Sequence, residues 1–261
     1  MPWKAVTRSV IGTSHIQQQL PCQDYGGKQI LGDVLIGAIA DGAGSAAHAE
    51  VGAKLAVTIV LEYLALTEVW LQKRRQSWRS LPHPPAQELA TKLFTKIVNK
   101  VNLGLRKQAE TSGYSIDDLA CTLLVLLATP RWVAAMQIGD GFIVVRSKRR
   151  QDYQLFFQPD KGEYANQTTF VTSSNALADM QIRILSNPPK FICASTDALE
   201  RVAIRLSDWS AFPPFFKPLE EYLLETTHPD KDDDYLISFL ESDRLNSRTD
   251  DDKTLLLGFY E

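Results

Sequence analysis

Val34-Leu35-Ile36-Gly37-Ala38-Ile39-Ala40 leads directly into Asp41-Gly42-Ala43-Gly44-Ser45. The first seven residues are apolar or small, and a short unbroken run of this kind is typical of a strand buried on both faces. Residues 46–66 look helical, so the segment predicts a strand, an Asp-Gly turn and a helix. Such a strand would hold the Asp41 carboxylate rigidly, and the glycines would let a ligand approach the backbone. An ordinary tight turn is the alternative interpretation.

Acidic residues stand beside apolar strands at three further places in the chain. Asp140 lies in Gln137-Ile138-Gly139-Asp140-Gly141, Asp197 ends Cys193-Ala194-Ser195-Thr196-Asp197, and Asp250-Asp251-Asp252 precede a last apolar run. Four such strand ends in one chain predict a shared pole of carboxylates, with unrelated turn aspartates as the alternative.

A cluster of carboxylates without Cys or His favours hard divalent ions, since Mg²⁺ and Mn²⁺ prefer oxygen ligands. Two such ions about 3.5–4 Å apart can share an aspartate, activate water and offset charge on a phosphoryl group. This pattern is therefore typical of phosphoester hydrolysis that uses no protein nucleophile.

Composition excludes several other classes of protein. The 261 residues carry a net charge of −3, which gives no electrostatic reason to expect a nucleic-acid partner or an anionic membrane. The basic runs 73–75 and 148–150 are interpreted as solvated turns, although the second could help to hold an acidic substrate. Three scattered cysteines argue against a disulfide framework and a structural zinc site. No signal peptide or membrane span is expected, and the expected location is the cytoplasm.

Hydrophobic periodicity predicts the order of the elements. A strand over 3–11 is followed by a break at 12–15, a polar loop at 17–21 and a turn at 25–27. Apolar residues every four positions predict long helices from residue 50 and over 89–105. Residues 120–158 are predicted to form an antiparallel meander that begins with a hairpin, and residues 159–178 a surface excursion. Helices are predicted at 197–206, 219–226 and 235–240, and a last strand at 254–260. Grouped strands and grouped helices predict an α+β layer architecture.

Six short motifs in order resemble the metal-dependent protein phosphatases, the PPM or type 2C family. They are Cys22-Gln23-Asp24, Ala40-Asp41-Gly42-Ala43-Gly44-Ser45, Ala120-Cys121-Thr122, Ile138-Gly139-Asp140-Gly141, Ala194-Ser195-Thr196-Asp197-Ala198-Leu199 and Asp251-Asp252-Lys253-Thr254. The resemblance extends from Ile11 to the C-terminus and is that of a divergent, bacterial-like member. It implies one domain over 1–261, a four-layer α-β-β-α sandwich of two antiparallel sheets flanked by helices.

The resemblance also implies a site for two Mg²⁺ or Mn²⁺ ions. Asp41 resembles the aspartate that bridges both metals, with the Gly42 carbonyl on one of them. Asp197 and Asp251 match carboxylates of the second metal, and Asp24 matches an acid that holds metal-bound water.

Further acids have less central counterparts. Asp140 corresponds to a residue that, with Asp197, helps to bind a third, weaker metal in some members. Asp252 stands where asparagine is more usual, and Asp250 is interpreted as a solvated neighbour. The implied reaction is attack of a metal-bridging hydroxide on phosphoserine or phosphothreonine.

Two positions depart from the family pattern. Ala43 replaces a histidine that is often proposed as the general acid, and His48 is a possible substitute for which a structural or exposed role is favoured. The phosphate-binding arginine expected shortly before Asp24 is absent, which leaves His15 or Arg8 as the candidate phosphate contact.

The sequence therefore favours a metal-dependent serine/threonine protein phosphatase with Asp41, Asp24 and His15 as catalytic residues. Its partner would be a phosphorylated protein, and a monomer is expected. The alternatives are a pseudophosphatase that binds phosphoproteins and a hydrolase of small phosphoesters.

Overall fold

The computed structural model describes residues 3–157, 168–231 and 234–261. The strands are β1 (Trp3–Val10), β2 (Tyr25–Leu31), β3 (Val34–Ala40), β4 (Leu123–Ala128), β5 (Val133–Ile138), β6 (Phe142–Ser147), β7 (Gln154–Leu155), β8 (Gln181–Leu185), β9 (Pro189–Ser195), β10 (Ile204–Arg205), β11 (Ser210–Ala211) and β12 (Lys253–Tyr260). The helices are α1 (Thr13–Gln18), α2 (Ala49–Lys73), α3 (Gln87–Ser112), α4 (Glu200–Ala203), α5 (Pro213–Glu225), α6 (Asp234–Leu240) and α7 (Asp243–Asn246).

The strands form two five-stranded sheets and one small ribbon, and their described pairs are antiparallel. One sheet has the order β1-β12-β9-β6-β7, and the other has the order β2-β3-β4-β5-β8. Strands β10 and β11 pair only with each other.

Alternation along the strands divides the core into three layers of side chains. In β3, Leu35 and Ile39 point between the sheets, whereas Ile36 and Ala38 point to the helices α2 and α3. In β12, Leu256 points between the sheets, and its neighbours face α5 and α6. Because every strand residue of β3 is buried, the apolar run at 34–40 is explained by a strand covered on both faces. The predicted four-layer α-β-β-α sandwich is confirmed.

Antiparallel pairing brings the ends of eight strands to one pole of the sandwich. In the first sheet, Val10 pairs with Lys253, and Ser195 pairs with both Leu255 and Phe142. In the second, Tyr25 pairs with Ala40, and Leu123 with Ile138. The segments that adjoin these ends contain Asp24, Asp41, Asp140, Asp197 and Asp250–Asp252. The fold therefore collects the acidic turns at one place.

Two expectations for the N-terminal region are wrong. Residues 25–27 were expected to form a turn, but they begin strand β2. The two glycines occur in this strand because the neighbouring side chains leave no room for a Cβ. A Cβ on Gly26 would lie 2.5 Å from Thr7 Cγ2, and a Cβ on Gly27 would lie 2.7 Å from Leu61 Cδ1. The break and loop predicted at 12–21 contain helix α1, which is too short to show helical periodicity.

The predicted meander is interrupted at Gly139–Gly141, because β5 and β6 belong to different sheets. The helix predicted from 197 is a 3₁₀ turn followed by α4 and β10, and α5 begins at Pro213, six residues before the predicted start. Residues 159–167 of the predicted surface excursion lie outside the described residues, whereas Val171 and Ala176 are core residues beside α3. No helix in the described part of the chain has both the length and the apolar character needed to cross a bilayer.

Candidate active site

A cavity of about 180 Å³ lies at the pole where the strand ends meet. Acidic, hydroxyl and small residues form most of its wall. The lining residues are His15, Gln23, Asp41, Gly42, Ala43, Gly44, Thr122, Asp140, Thr168, Phe170, Asp197, Asp251 and Asp252. The cavity therefore brings together all the predicted site residues except Asp24.

Asp41 is fixed through its backbone at the end of β3. Its N–H donates to Thr122 Oγ1 at 3.0 Å, and its carbonyl accepts from the Thr122 N–H at 2.8 Å. Gly42 continues this pairing as an isolated bridge with Cys121, and its N–H donates to the Gln23 carbonyl at 3.2 Å. A Cβ on Gly42 would lie 2.6 Å from Ala49 Cβ, so glycine allows the turn to pack against the start of α2.

Asp24 lies behind the cavity wall and is only 4% exposed. Its Oδ2 accepts from Thr196 Oγ1 at 2.8 Å, and Thr196 Oγ1 in turn accepts from the Thr254 N–H at 3.2 Å. Asp24 is thus held by the segments that follow β9 and begin β12. No local sequence pattern predicts the contact between Thr196 and Asp24, since only the fold brings the two residues together.

Asp140 is exposed at the rim of the cavity, in the turn between β5 and β6. Gln137 Nε2 donates to the carbonyls of Gly139 and Gly141 at 2.8 Å each, which fixes the turn. Gly139 has φ +102°, in the region that favours glycine. The Asp140 carboxylate accepts from Thr168 Oγ1 at 2.5 Å.

Asp197 and Asp251 complete the acidic wall from the first sheet. Asp197 begins a 3₁₀ turn after β9, and its charge helps to raise the pKa of the Asp41 carboxyl. Asp251 is exposed, and one of its carboxylate oxygens accepts from the Asp252 N–H at 2.8 Å. The acids of both sheets therefore face one another across the cavity.

Burial and mutual repulsion raise the pKa values of three of these carboxyls. Burial is the larger cause in each case, followed for Asp41 by the charges of Asp24 and Asp197. The pKa of Asp197 is raised to about 6 and that of Asp24 to about 8, whereas the Asp41 pKa is raised furthest. The described lining residues include no Lys or Arg, whereas the buried Lys253, which does not line the cavity, donates from Nζ to the Asp251 carbonyl at 3.2 Å.

This donor set suits a hard divalent cation chemically, since it offers carboxylate and backbone oxygens and no thiolate. A cation would also relieve the repulsion that raises the pKa values. Across 3–157, 168–231 and 234–261, no three His, Cys, Asp or Glu side chains are arranged to hold a metal ion as they stand. Asp24 and Asp140 instead accept hydrogen bonds from the hydroxyls of Thr196 and Thr168.

His15 faces the cavity from α1 and is held by Asp252. Its Nδ1 lies 2.9 Å from Asp252 Oδ2. Asp252 is 3% exposed, and its carboxylate also accepts from the N–H groups of Gly12 and Gln23. The contacts of Asp252 could not be predicted from a local sequence pattern, because its partners are 229 to 240 residues away. Asp250, interpreted as a solvated neighbour, is exposed.

Arg8 and His48, the alternative candidates, lie outside the cavity wall, whereas Ala43 lies on it. Arg8 donates to the carbonyls of Thr7 and Asp230, and His48 occupies the N-cap of α2 with its ring stacked on Tyr114 at 3.7 Å. Ala43 stands at the position where the pattern that the sequence resembles has histidine. His15 is thus the imidazole that the described structure places on the wall.

Gly12 is expected to be required for the junction between α1 and residues 250–252. A Cβ at this position would lie 2.3 Å from the Asp250 carbonyl oxygen and 2.3 Å from the Asp251 carbonyl carbon. Gly12→Ala should therefore lower the free energy of unfolding by about 1–3 kcal/mol, as overpacking does. Urea denaturation would measure the change.

Gly44→Ala is the matched control, because a Cβ on Gly44 would meet no atom within 4 Å. Equal unfolding free energies for the two variants would contradict the proposed close contact at Gly12.

Comparison with known proteins gives one family. The model of the family described as Protein phosphatase 2C matches residues 11–241. Serine/threonine-protein phosphatase 3 of Escherichia coli (strain K12) is 36% identical over 267 residues, which cover 100% of this chain and 99% of that protein.

Solved structures agree in fold. Serine/threonine phosphatase Stp1 from Staphylococcus aureus matches with a TM-score of 0.62 and 14% identity, over 100% of this chain and 96% of that one. RsbX in complex with magnesium matches with a TM-score of 0.57 and 13% identity, over 100% and 96% of the two chains. At these identities the structures support the fold alone, whereas the family model and the Escherichia coli relative cover most or all of the sequence. The chain belongs to the protein phosphatase 2C family.

Proposed function

We propose that this protein is a Mg²⁺- or Mn²⁺-dependent phosphatase that hydrolyses phosphoserine and phosphothreonine in proteins. The observation that carries the proposal is the cavity in which carboxylates from both sheets converge and whose described lining includes no Lys or Arg. A phosphate dianion would be repelled from such a wall unless cations accompanied it. The similarity to a serine/threonine-protein phosphatase and to a magnesium-bound family member supports the choice of reaction and ion.

Two ions would be held by Asp41, the Gly42 carbonyl, Asp197 and Asp251, with Asp140 available for a third. When bound, such ions activate water and stabilise charge on a phosphoryl group. Asp41 would orient this centre, because its backbone is fixed to Thr122 on both sides. Asp24 would act from behind the wall, where it can accept a hydrogen bond from water.

His15 would contact the phosphoryl group of the substrate. A cavity of about 180 Å³ accepts a phosphoryl group and the end of a side chain, and the remainder of a protein substrate would lie outside it. This size favours a phosphorylated side chain that reaches inward over a large metabolite enclosed by the protein.

We further propose that residues 1–261 form one domain that acts as a monomer in the cytoplasm. Three free thiols, at Cys22, Cys121 and Cys193, support a reducing compartment. Cell fractionation and gel filtration would test location and oligomeric state, and a membrane-bound or oligomeric protein would contradict this proposal.

The function is tested by hydrolysis of a phosphothreonine peptide with Mn²⁺, with Mg²⁺ and with EDTA. We expect turnover with metal and none with EDTA. A parallel assay with a small phosphoester, such as glycerol phosphate, distinguishes a protein phosphatase from a metabolite hydrolase by their kcat/KM values. Folded, metal-loaded protein that binds the phosphopeptide without hydrolysing it would instead indicate a pseudophosphatase.

A further inference from the structure

Asp252 connects three segments of the candidate site through one buried carboxylate. Its Oδ1 accepts from the Gly12 N–H at 2.6 Å, and its Oδ2 accepts from the Gln23 N–H at 2.5 Å. Because a backbone N–H can only donate, Asp252 serves as an acceptor in both bonds. The position of the carboxylate is therefore fixed by the backbone of Gly12, at the start of α1, and of Gln23, just before β2.

The third partner of Asp252 is the His15 ring. Since Oδ2 acts as an acceptor, the bond to Nδ1 at 2.9 Å favours the form of His15 that carries a proton on Nδ1. Nε2 then has no hydrogen-bond partner in the described part of the chain, and the residue lines the cavity. The two ring nitrogens thus have different roles, since one is held by Asp252 and the other is available to a ligand.

The composition of the cavity wall makes this orientation consequential. The described wall contains no Lys or Arg, so His15 supplies the imidazole nitrogen with which the wall can hydrogen-bond a phosphate. A hydrogen bond between Nε2 and a phosphoryl oxygen requires a proton on one of the two atoms. Either the imidazole or the phosphate can be the donor. A freely rotating ring would make this contact only part of the time.

We propose that Asp252 is a positioning residue that holds His15 with Nε2 toward the substrate phosphate. This inference rests on the proposed function and deepens it. Asp252 acts through His15 and does not itself touch the substrate. The pair also connects the proposed phosphate contact to the acidic residues of the cavity. Asp252 follows Asp251 directly and accepts from the Gln23 N–H, and the Gln23 carbonyl accepts from the Gly42 N–H.

A double-mutant cycle tests the connection in the metal-loaded, full-length protein. His15→Gln and Asp252→Asn are each expected to lower kcat/KM for a phosphothreonine peptide by about 10- to 100-fold, mainly through a higher KM. The double variant should lose no more than either single variant, because both changes remove the same contact. Losses that multiply, or an unchanged KM in His15→Gln, would overturn the proposal.

Two matched controls separate this effect from a general loss of charge or of histidine. Asp250→Asn makes the same change at an exposed side chain two residues away, and His83→Gln removes an exposed loop histidine. Both should keep the kinetic constants of the unmodified protein. If Asp250→Asn raised KM as much as Asp252→Asn, the specific role of Asp252 would be contradicted.

Nitrogen NMR of the imidazoles provides a readout that does not depend on turnover. The chain has four histidines, so His15→Gln identifies the His15 resonances. In Mg²⁺-loaded protein, inorganic phosphate should shift the Nε2 resonance of His15, and this shift should disappear in Asp252→Asn. If phosphate binding shifts no His15 resonance in the unmodified protein, the inference is wrong.

The two measurements also separate this inference from the proposed function. A phosphate-induced shift that depends on Asp252 in a protein without turnover would support the positioning role and contradict the phosphatase. Turnover with no phosphate response at His15 would support the phosphatase and contradict the positioning role.

Discussion

Asp41→Asn is expected to reduce metal-dependent hydrolysis of a phosphothreonine peptide by about 10³-fold or more while the protein stays folded. The side chain keeps its shape but loses the charge that the proposed metal centre needs. The backbone bonds between Asp41 and Thr122 do not involve the carboxylate, so the turn should keep its position. Initial rates with Mn²⁺, together with circular dichroism, would measure both effects.

The same variant should also be more stable than the unmodified protein in EDTA at pH 8. Burial and neighbouring acids raise the Asp41 pKa, so the charged form destabilises the metal-free fold. Asp250→Asn is the control, since that side chain is exposed and should change neither activity nor stability. Near-normal turnover of Asp41→Asn would contradict the assigned site.

The stability of the metal-free protein should fall as pH rises from 6 to 8. Asp197 and Asp24 have folded pKa values raised to about 6 and about 8, compared with about 4 in an unfolded chain. In this window the folded state binds more protons than the unfolded state, so the free energy of unfolding decreases with pH. The expected loss is on the order of 2–5 kcal/mol, which corresponds to about 5–15 °C in Tm.

Thermal unfolding in EDTA across this pH range would measure the effect. Added Mg²⁺ should raise Tm more at pH 8 than at pH 6, because ionised carboxylates bind the cation and protonated ones do not. Asp24→Asn should flatten the profile, whereas Asp250→Asn should leave it unchanged. A Tm in EDTA that is constant or rises with pH would contradict the repulsion described for this cluster.

Much of the fold could be predicted because local pattern and global position agree. The run 34–40 contains only apolar residues and one glycine, because α2 covers one face of β3 and the second sheet covers the opposite face. The motif order around Asp41, Asp140 and Asp197 then indicated which strand ends meet. Strand β2 was not predicted, because two adjacent glycines are typical of a turn. In the structure, Gly26 and Gly27 instead allow neighbouring side chains to pack closely against the strand.

The support of the site was less predictable than its acids. Asp252 was recognised only as a replacement for asparagine, since its bonds to Gly12, His15 and Gln23 leave no local pattern. Helix α1 was missed for a related reason, because its six residues bury no side chain and so show no apolar periodicity. Contacts between distant segments depend on the pairing of β1 with β12, which no short sequence window contains.

The pairing of β1 with β12 sets an order of assembly for the protein. Trp3 pairs with Tyr260 and Val10 with Lys253, so this ladder closes a loop of nearly the whole chain. Closing so long a loop costs entropy before any contact is gained, and topologies of this kind fold slowly. Strand β12 is also the partner of β9, which carries Asp197 at its end. During synthesis, the acidic wall can therefore be completed only after Asp251 and strand β12 have been made.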